Sequence, residues 1–222
     1  MERSRWERLA PLSGVLFVAL LVASFLISGE PPDSDESLAE VLEYWRDDDS
    51  KVIASAILGI YGLVAFLWFL GALRSALRAA EGGTGRLSAT AFAGGIVLAV
   101  GAAVGLAIQY AAAESAGDVP TQVTQTLSVL NAEYFIPFPV GLGVLLLATA
   151  VATIRHGPLP KWMGWVALVL GIAAITPAGF VAFIGFLPWV VIASIVLYLR
   201  PPAEAPGTTE PTAPASSRGS PS

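Results

Sequence analysis

At 222 residues, 55% hydrophobic and only 13% charged, with a mean hydropathy of +0.70, the chain is too apolar for an ordinary soluble domain, where about a quarter of residues carry charge. A net charge of -5 argues against a nucleic-acid partner, because phosphate binding needs clustered Lys and Arg. The absence of cysteine and the single histidine, His156, exclude disulfides, thiolate chemistry and any multi-histidine metal or haem site within one chain, so no cofactor and no metal are expected.

Arg3, Arg5 and Arg8 precede the first uncharged run, Leu9 to Gly29. That is long enough for a crossing, which takes about 20 helical residues through a hydrocarbon layer about 30 Å thick. The same arrangement describes a secretory leader, but no small-residue cleavage box stands between Ile27 and Pro32, so a retained helix is expected. The segment 30–51 then opens with Pro31 and Pro32. Its Leu38, Val41, Leu42 and Trp45 recur at i, i+3, i+4 and i+7, which gathers them on one helical face, and Ser37 with Glu40 suits a capping box. A short amphipathic helix on the outer membrane surface is expected there, its acidic face in water. It reads as a connector more readily than a sensor, and Asp47, Asp48 and Asp49 lack the spacing of a calcium loop.

Four further uncharged runs follow: Val52 to Leu73, Leu87 to Ala113, Tyr134 to Ile154, and Trp162 to Leu199. The last holds 38 residues, which as one straight helix would reach about 57 Å, nearly twice the thickness available. It is expected to fold back near Thr176, Pro177, Ala178 and Gly179, where proline and glycine interrupt the pattern. The expected spans are therefore 9–29, 52–73, 89–112, 133–154, 162–178 and 180–199. Because the runs are continuous and do not alternate, helices are the form that satisfies the backbone within lipid. On the third span Gly101 and Gly105 form a small-xxx-small pair, which is expected to serve close packing inside the bundle. Residues 201–222, rich in Pro, Ala, Ser, Thr and Gly without apolar periodicity, are expected to form a disordered tail. The fold class is thus an all-α polytopic transmembrane bundle of six helices in one domain, 1–200, with the outer helix and the tail as additions.

An alternating six-span path places Arg3, Arg5, Arg8, Arg74, Arg78, Arg86, Arg155, Lys161, Arg200 and Arg218 on one side. Only Arg46 and Lys51 fall on the other. The positive-inside bias puts both termini in the cytoplasm.

Ionisable groups inside lipid are costly and mark function by default, yet the spans carry none at their centres. The candidate outer polar pocket is Gln109, Asn131 and Glu133, beside Tyr110 and Tyr134 at the outer ends of spans three and four. Pro137 and Pro139 follow, where kinks would free backbone carbonyls toward such a cavity. A plainer role for Glu133 is a carboxylate at a helix N-terminus in the interface. No catalytic residue is expected: Ser13, Ser24, Ser55 and Ser194 are scattered and no motif ties a nucleophile to a base. The glycine-rich Glu81 to Arg86 lacks the lysine and strand of a phosphate loop and reads as a flexible turn.

Three segments carry a family likeness: Leu67-Trp68-Phe69-Leu70-Gly71-Ala72-Leu73-Arg74, then Glu81-Gly82-Gly83 with Gly85-Arg86-Leu87, and Leu159-Pro160-Lys161-Trp162-Met163-Gly164-Trp165. Through them the region from Arg8 to about Arg200 resembles a group of uncharacterised bacterial six-span membrane proteins classed as a domain of unknown function. The resemblance implies a six-helix architecture in the bacterial plasma membrane and brings no activity with it. With no catalytic set and no charge at the span centres, the expected function is non-enzymatic, through helix packing in the lipid bilayer with a second copy or another membrane protein as partner. A small transporter or lipid-handling protein is the alternative, and a membrane enzyme acting on a lipid the second.

Overall fold

The computed structural model describes residues 9–29, 44–45, 49–116, 118–134 and 137–199. Among them all regular structure is helical. A 3-10 turn, Ala10–Leu12, leads into α1 (Ser13–Ser28), followed by α2 (Asp49–Glu81), α3 (Arg86–Ser115), α4 (Thr121–Glu133), α5 (Pro137–His156), α6 (Lys161–Ala174) and α7 (Gly179–Leu199). The breaks fall where the backbone chemistry demands them. Gly157 ends α5 in the left-handed conformation with φ 69°, its N–H donating to the Thr153 carbonyl at 2.9 Å, as a helix terminus requires. Thr176 and Pro177 separate α6 from α7, with the Thr176 hydroxyl donating to the Ala173 carbonyl at 2.7 Å.

Five helical stretches are long and apolar enough to cross a membrane: Ala10–Ser28, Ser50–Glu81, Arg86–Ser115, Phe138–His156 and Gly179–Leu199. Their outward faces are hydrophobic, with Leu26 80% and Trp68 67% exposed. Such a surface is an aggregation hazard in water and ordinary against lipid tails. A multi-pass membrane protein is what these helices suit.

The helices depart from the expected spans in three ways. First, α6 has 14 residues, about 21 Å of helix, short of the roughly 30 Å that a full crossing needs. Second, the expected span 133–154 does not begin at 133. Glu133 closes α4, a helix the span count leaves unassigned, and α5 starts at Pro137, because proline has no N–H to continue a helix and suits its first turn. The two prolines therefore open a helix and do not kink one. Third, α2 runs on through Arg74 and Arg78 to Glu81, since charge ends the hydrocarbon stretch without ending the helix. The outer helix expected around Ser37 to Trp45 lies outside the described residues apart from Tyr44 and Trp45, and so does the tail 201–222.

Six helices close into a ring, α1 on α2, α2 on α3, α3 on α5, α5 on α6, α6 on α7 and α7 back on α1, while α4 packs on α3. Every neighbouring pair runs antiparallel. Gly59 meets Leu106 and Gly95 meets Leu70 across α2 and α3, and Gly14 meets Ser194 across α1 and α7. The start of α1 and the end of α7 consequently lie side by side, together with the turns at 82–85 and 157–160. The half of the bundle nearest that end is closed. A Cβ added at Gly94 would lie 2.5 Å from the Leu145 nitrogen, and one at Gly141 would strike the Leu98 backbone, so the α3 and α5 backbones touch there in the manner of small-residue membrane crossings. The buried Trp189 indole donates to the Met163 carbonyl at 3.2 Å and ties α7 to α6.

Candidate functional site

The opposite half of the ring is hollow. A cavity of about 250 Å³ lies among α1, α2, α3, α4, α5 and α7. Its floor is aromatic: Phe66 on α2 stands 4.9 Å from Phe17 and 6.2 Å from Phe186, ring centre to ring centre. These rings close it toward the packed half. Its walls continue with Leu21, Phe25, Leu63, Phe138 and Phe183, and the Phe138 and Phe183 rings meet edge to face at 5.2 Å. On α3 the lining runs from Leu98 through Gly101, Ala102 and Gly105 to Gln109, a depth of about 16 Å at 1.5 Å per residue, roughly half the hydrocarbon layer.

The polar groups are confined to the far end, where Ser28, Tyr44, Gln109, Asn131 and Tyr134 border the space. Their positions follow from different elements. Gln109 is one turn and a half before the end of α3 and its amide donates to the Ser55 hydroxyl at 3.1 Å. Ser55 in turn donates to the Val52 carbonyl at 2.8 Å, and the neighbouring Ser24 hydroxyl donates to the Ser55 carbonyl at 2.8 Å. This relay fixes the Gln109 amide and joins α1, α2 and α3 at one level. Tyr44 donates to the Ser28 carbonyl at 3.0 Å and stacks edge to face on Trp45 at 5.0 Å. Trp45 is 1% exposed, borders the cavity, and its indole N–H has no acceptor. Leaving such a donor unpaired costs about 1–3 kcal/mol.

Of the expected pocket residues, the structure thus brings Gln109 and Asn131 to one cavity. Glu133 is the last residue of α4, and its side chain lies outside what is described. Tyr134 borders the cavity, whereas Tyr110, its expected companion, does not. Sequence reasoning missed Ser24, Ser28, Tyr44, Trp45 and the aromatic floor. The only available signal was the apolar face of the 30–51 segment that includes Trp45. Gly101 and Gly105, expected at a close helix contact, instead border the cavity, and a Cβ at Gly105 would find only the Tyr134 ring, at 3.5 Å.

The glycine-rich segment after α2 is a specific turn and not merely a loose one. Gly82, Gly83 and Gly85 take φ of 64°, 51° and 65°, a region open to glycine at little cost. The Glu81 carboxylate reaches across the turn to accept from the Leu87 and Ser88 N–H groups at 2.8 and 2.9 Å, at the positive end of the α3 dipole. Glu81 lies two helical turns beyond the uncharged stretch that ends at Leu73. Desolvation pushes its pKa upward, but the Leu87 and Ser88 hydrogen bonds and the charge of His156 outweigh it and hold the carboxyl below its ordinary range. This turn has no lysine, and the Glu81 carboxylate already takes the Leu87 and Ser88 N–H groups that open α3.

No family model matches the chain, and neither a curated protein nor a solved structure matches it significantly.

Proposed function

We propose that this chain is a six-span protein of the bacterial plasma membrane, as the resemblance implies, with both termini in the cytoplasm, and that it holds an amphiphilic molecule in the hollow half of its ring. Of the readings open from the sequence, lipid handling is the one the cavity favours. The observation that carries it is a pocket apolar from Phe66 to Phe183 and polar only from Gln109 to Tyr44. That gradient matches a molecule with a tail and a head. Binding sites of this kind are concave, mostly apolar and finished by a few polar groups. The closed aromatic floor supports holding or handing over a molecule and not a continuous pore.

Six crossings are supported by the ring itself. Its antiparallel order brings the start of α1 and the end of α7 together, and α6 turns Trp162, Trp165, Val169 and Ile172 outward as a lipid-facing stripe. The turn at 175–178 would then complete the fifth crossing, with α7 as the sixth. Arg74, Arg78, Arg86, Arg155 and Lys161 sit at the closed end, which supports a cytoplasmic assignment for that end by the positive-inside rule. Reporters fused to both termini should therefore appear on the same, cytoplasmic face. Opposite faces would leave only five crossings.

Purified protein released gently from its membrane into a mass spectrometer should carry one retained small amphiphile per chain. Ala102→Phe, which fills the space beside Gly105, should remove that adduct while leaving the folded yield unchanged. An adduct that survives the substitution, or its absence from the parent protein together with no saturable uptake of a single-chain lipid, would overturn the reading.

A further inference from the structure

We infer that the molecule held in the cavity has a single chain and an uncharged head bearing hydroxyl or amide groups. This rests on the amphiphile-binding reading and narrows it to a chemical class. The width comes first. A volume of about 250 Å³ lies just under the range of about 300–1,000 Å³ usual for small-molecule sites, and here it is drawn out over about 16 Å of α3. That leaves room for one chain and not for two side by side.

The head follows from what the polar end offers. Gln109, Asn131, Tyr134, Ser28 and Tyr44 are all uncharged, and no Lys, Arg, His, Asp or Glu is among the described residues that border the cavity. A phosphate brought there would find no cation among the described residues to replace its water, and burial of an unpaired charge is far more costly than burial of a hydrogen-bonded neutral group. Nor does the nearby start of α5 offer a substitute. Helix N-termini bind anions through their free N–H groups, but α5 opens Pro137-Phe138-Pro139, and two of those three residues have no N–H to give.

An amide presents donors and acceptors together. Gln109 uses one N–H on Ser55 and keeps the other and its carbonyl, and Asn131 brings a second amide to the same space. A carboxylate or phosphate head only accepts and an ammonium head only donates, so each would leave half of this capacity unmet, whereas a hydroxyl or amide uses both halves.

Three probes with identical twelve-carbon chains separate the cases: monododecyl glycerol, dodecyl phosphate and dodecylammonium. Each competes with a photoreactive monoacylglycerol for the full-length protein in nanodiscs of zwitterionic lipid. Monododecyl glycerol should win by about tenfold or more, the equivalent of one to two well-made hydrogen bonds. Gln109→Leu combined with Asn131→Leu should shrink that preference to near unity while the probes still bind through their tails. Thermal melting of each variant checks its fold, and the ranking on the unmodified protein decides the matter if a variant fails to fold. A charged probe that equals or beats the neutral one would overturn this inference and leave the cavity reading standing. Absence of saturable binding by all three would overturn the cavity reading along with it.

Discussion

Around Gly94 and Gly141 the backbones of α3 and α5 touch, whereas two turns further along α3, at Gly101 and Gly105, the same helix faces open space. The difference lies in the partner. Gly94 is met by the backbone at Leu145, and Gly141 meets the backbone at Leu98, so the loss of a side chain on each helix becomes a gain in contact. Opposite Gly105 stands only the edge of Tyr134, delivered by the break between α4 and α5. A glycine in a membrane helix therefore brings helices together only where the facing helix also yields; where it does not, the missing side chain is volume left for something else.

That contrast can be broken at its boundary, its closed side and its open side. Phe66 is buried at the floor between the halves. Phe66→Ala should have the largest effect, lowering stability by about 3–5 kcal/mol as cavities of this kind do, read by thermal unfolding in detergent, with the hollow extended into the packed half. Gly94→Ala should cost about 1–3 kcal/mol, because the added methyl group must displace the Leu145 backbone. Gly105→Ala, identical in kind one helix segment away, should leave the melting temperature within error of the parent. Equal losses at Gly94 and Gly105 would erase the distinction between the halves. The smallest effect concerns the turn at the closed end. Because the Glu81 pKa is lowered in the folded protein, its carboxylate contributes stability that is present above its unfolded pKa and lost as pH falls through the folded one. Glu81→Gln should accordingly lower the melting temperature slightly near neutral pH and make no difference in acid below that window; a loss independent of pH would point to shape and not charge.

Much of the scaffold can be read from residue order. Long uncharged runs mark the helices, and the Thr176-Pro177 break is visible because 38 apolar residues cannot stay straight in a layer about 30 Å thick. The helix α4 was not visible, for a physical reason. Its Thr124 and Ser128 are buried, while Gln122, Gln125 and Thr126 stand exposed beside Val123, Val129 and Leu130, so it carries neither a long apolar run nor separate polar and apolar faces. Gln109 and Asn131 stand out in the sequence as polar groups at the ends of apolar segments. Their neighbours do not: Ser24, Tyr44 and Phe183 come from positions far apart in the chain, and only the closure of the ring, α7 against α1, brings them to one space.

The absence of native cysteine permits a direct test of the hollow half against the closed one in the intact membrane. Single cysteines at Gly105, beside the cavity, and at Ala150, fully buried on α5, are exposed to a small membrane-permeant thiol reagent with and without saturating monododecyl glycerol. The account requires Gly105→Cys to react readily, to be shielded by the lipid, and Ala150→Cys to stay inert under both conditions. Equal labelling at the two positions, or labelling at Gly105 that the lipid leaves untouched, would contradict it.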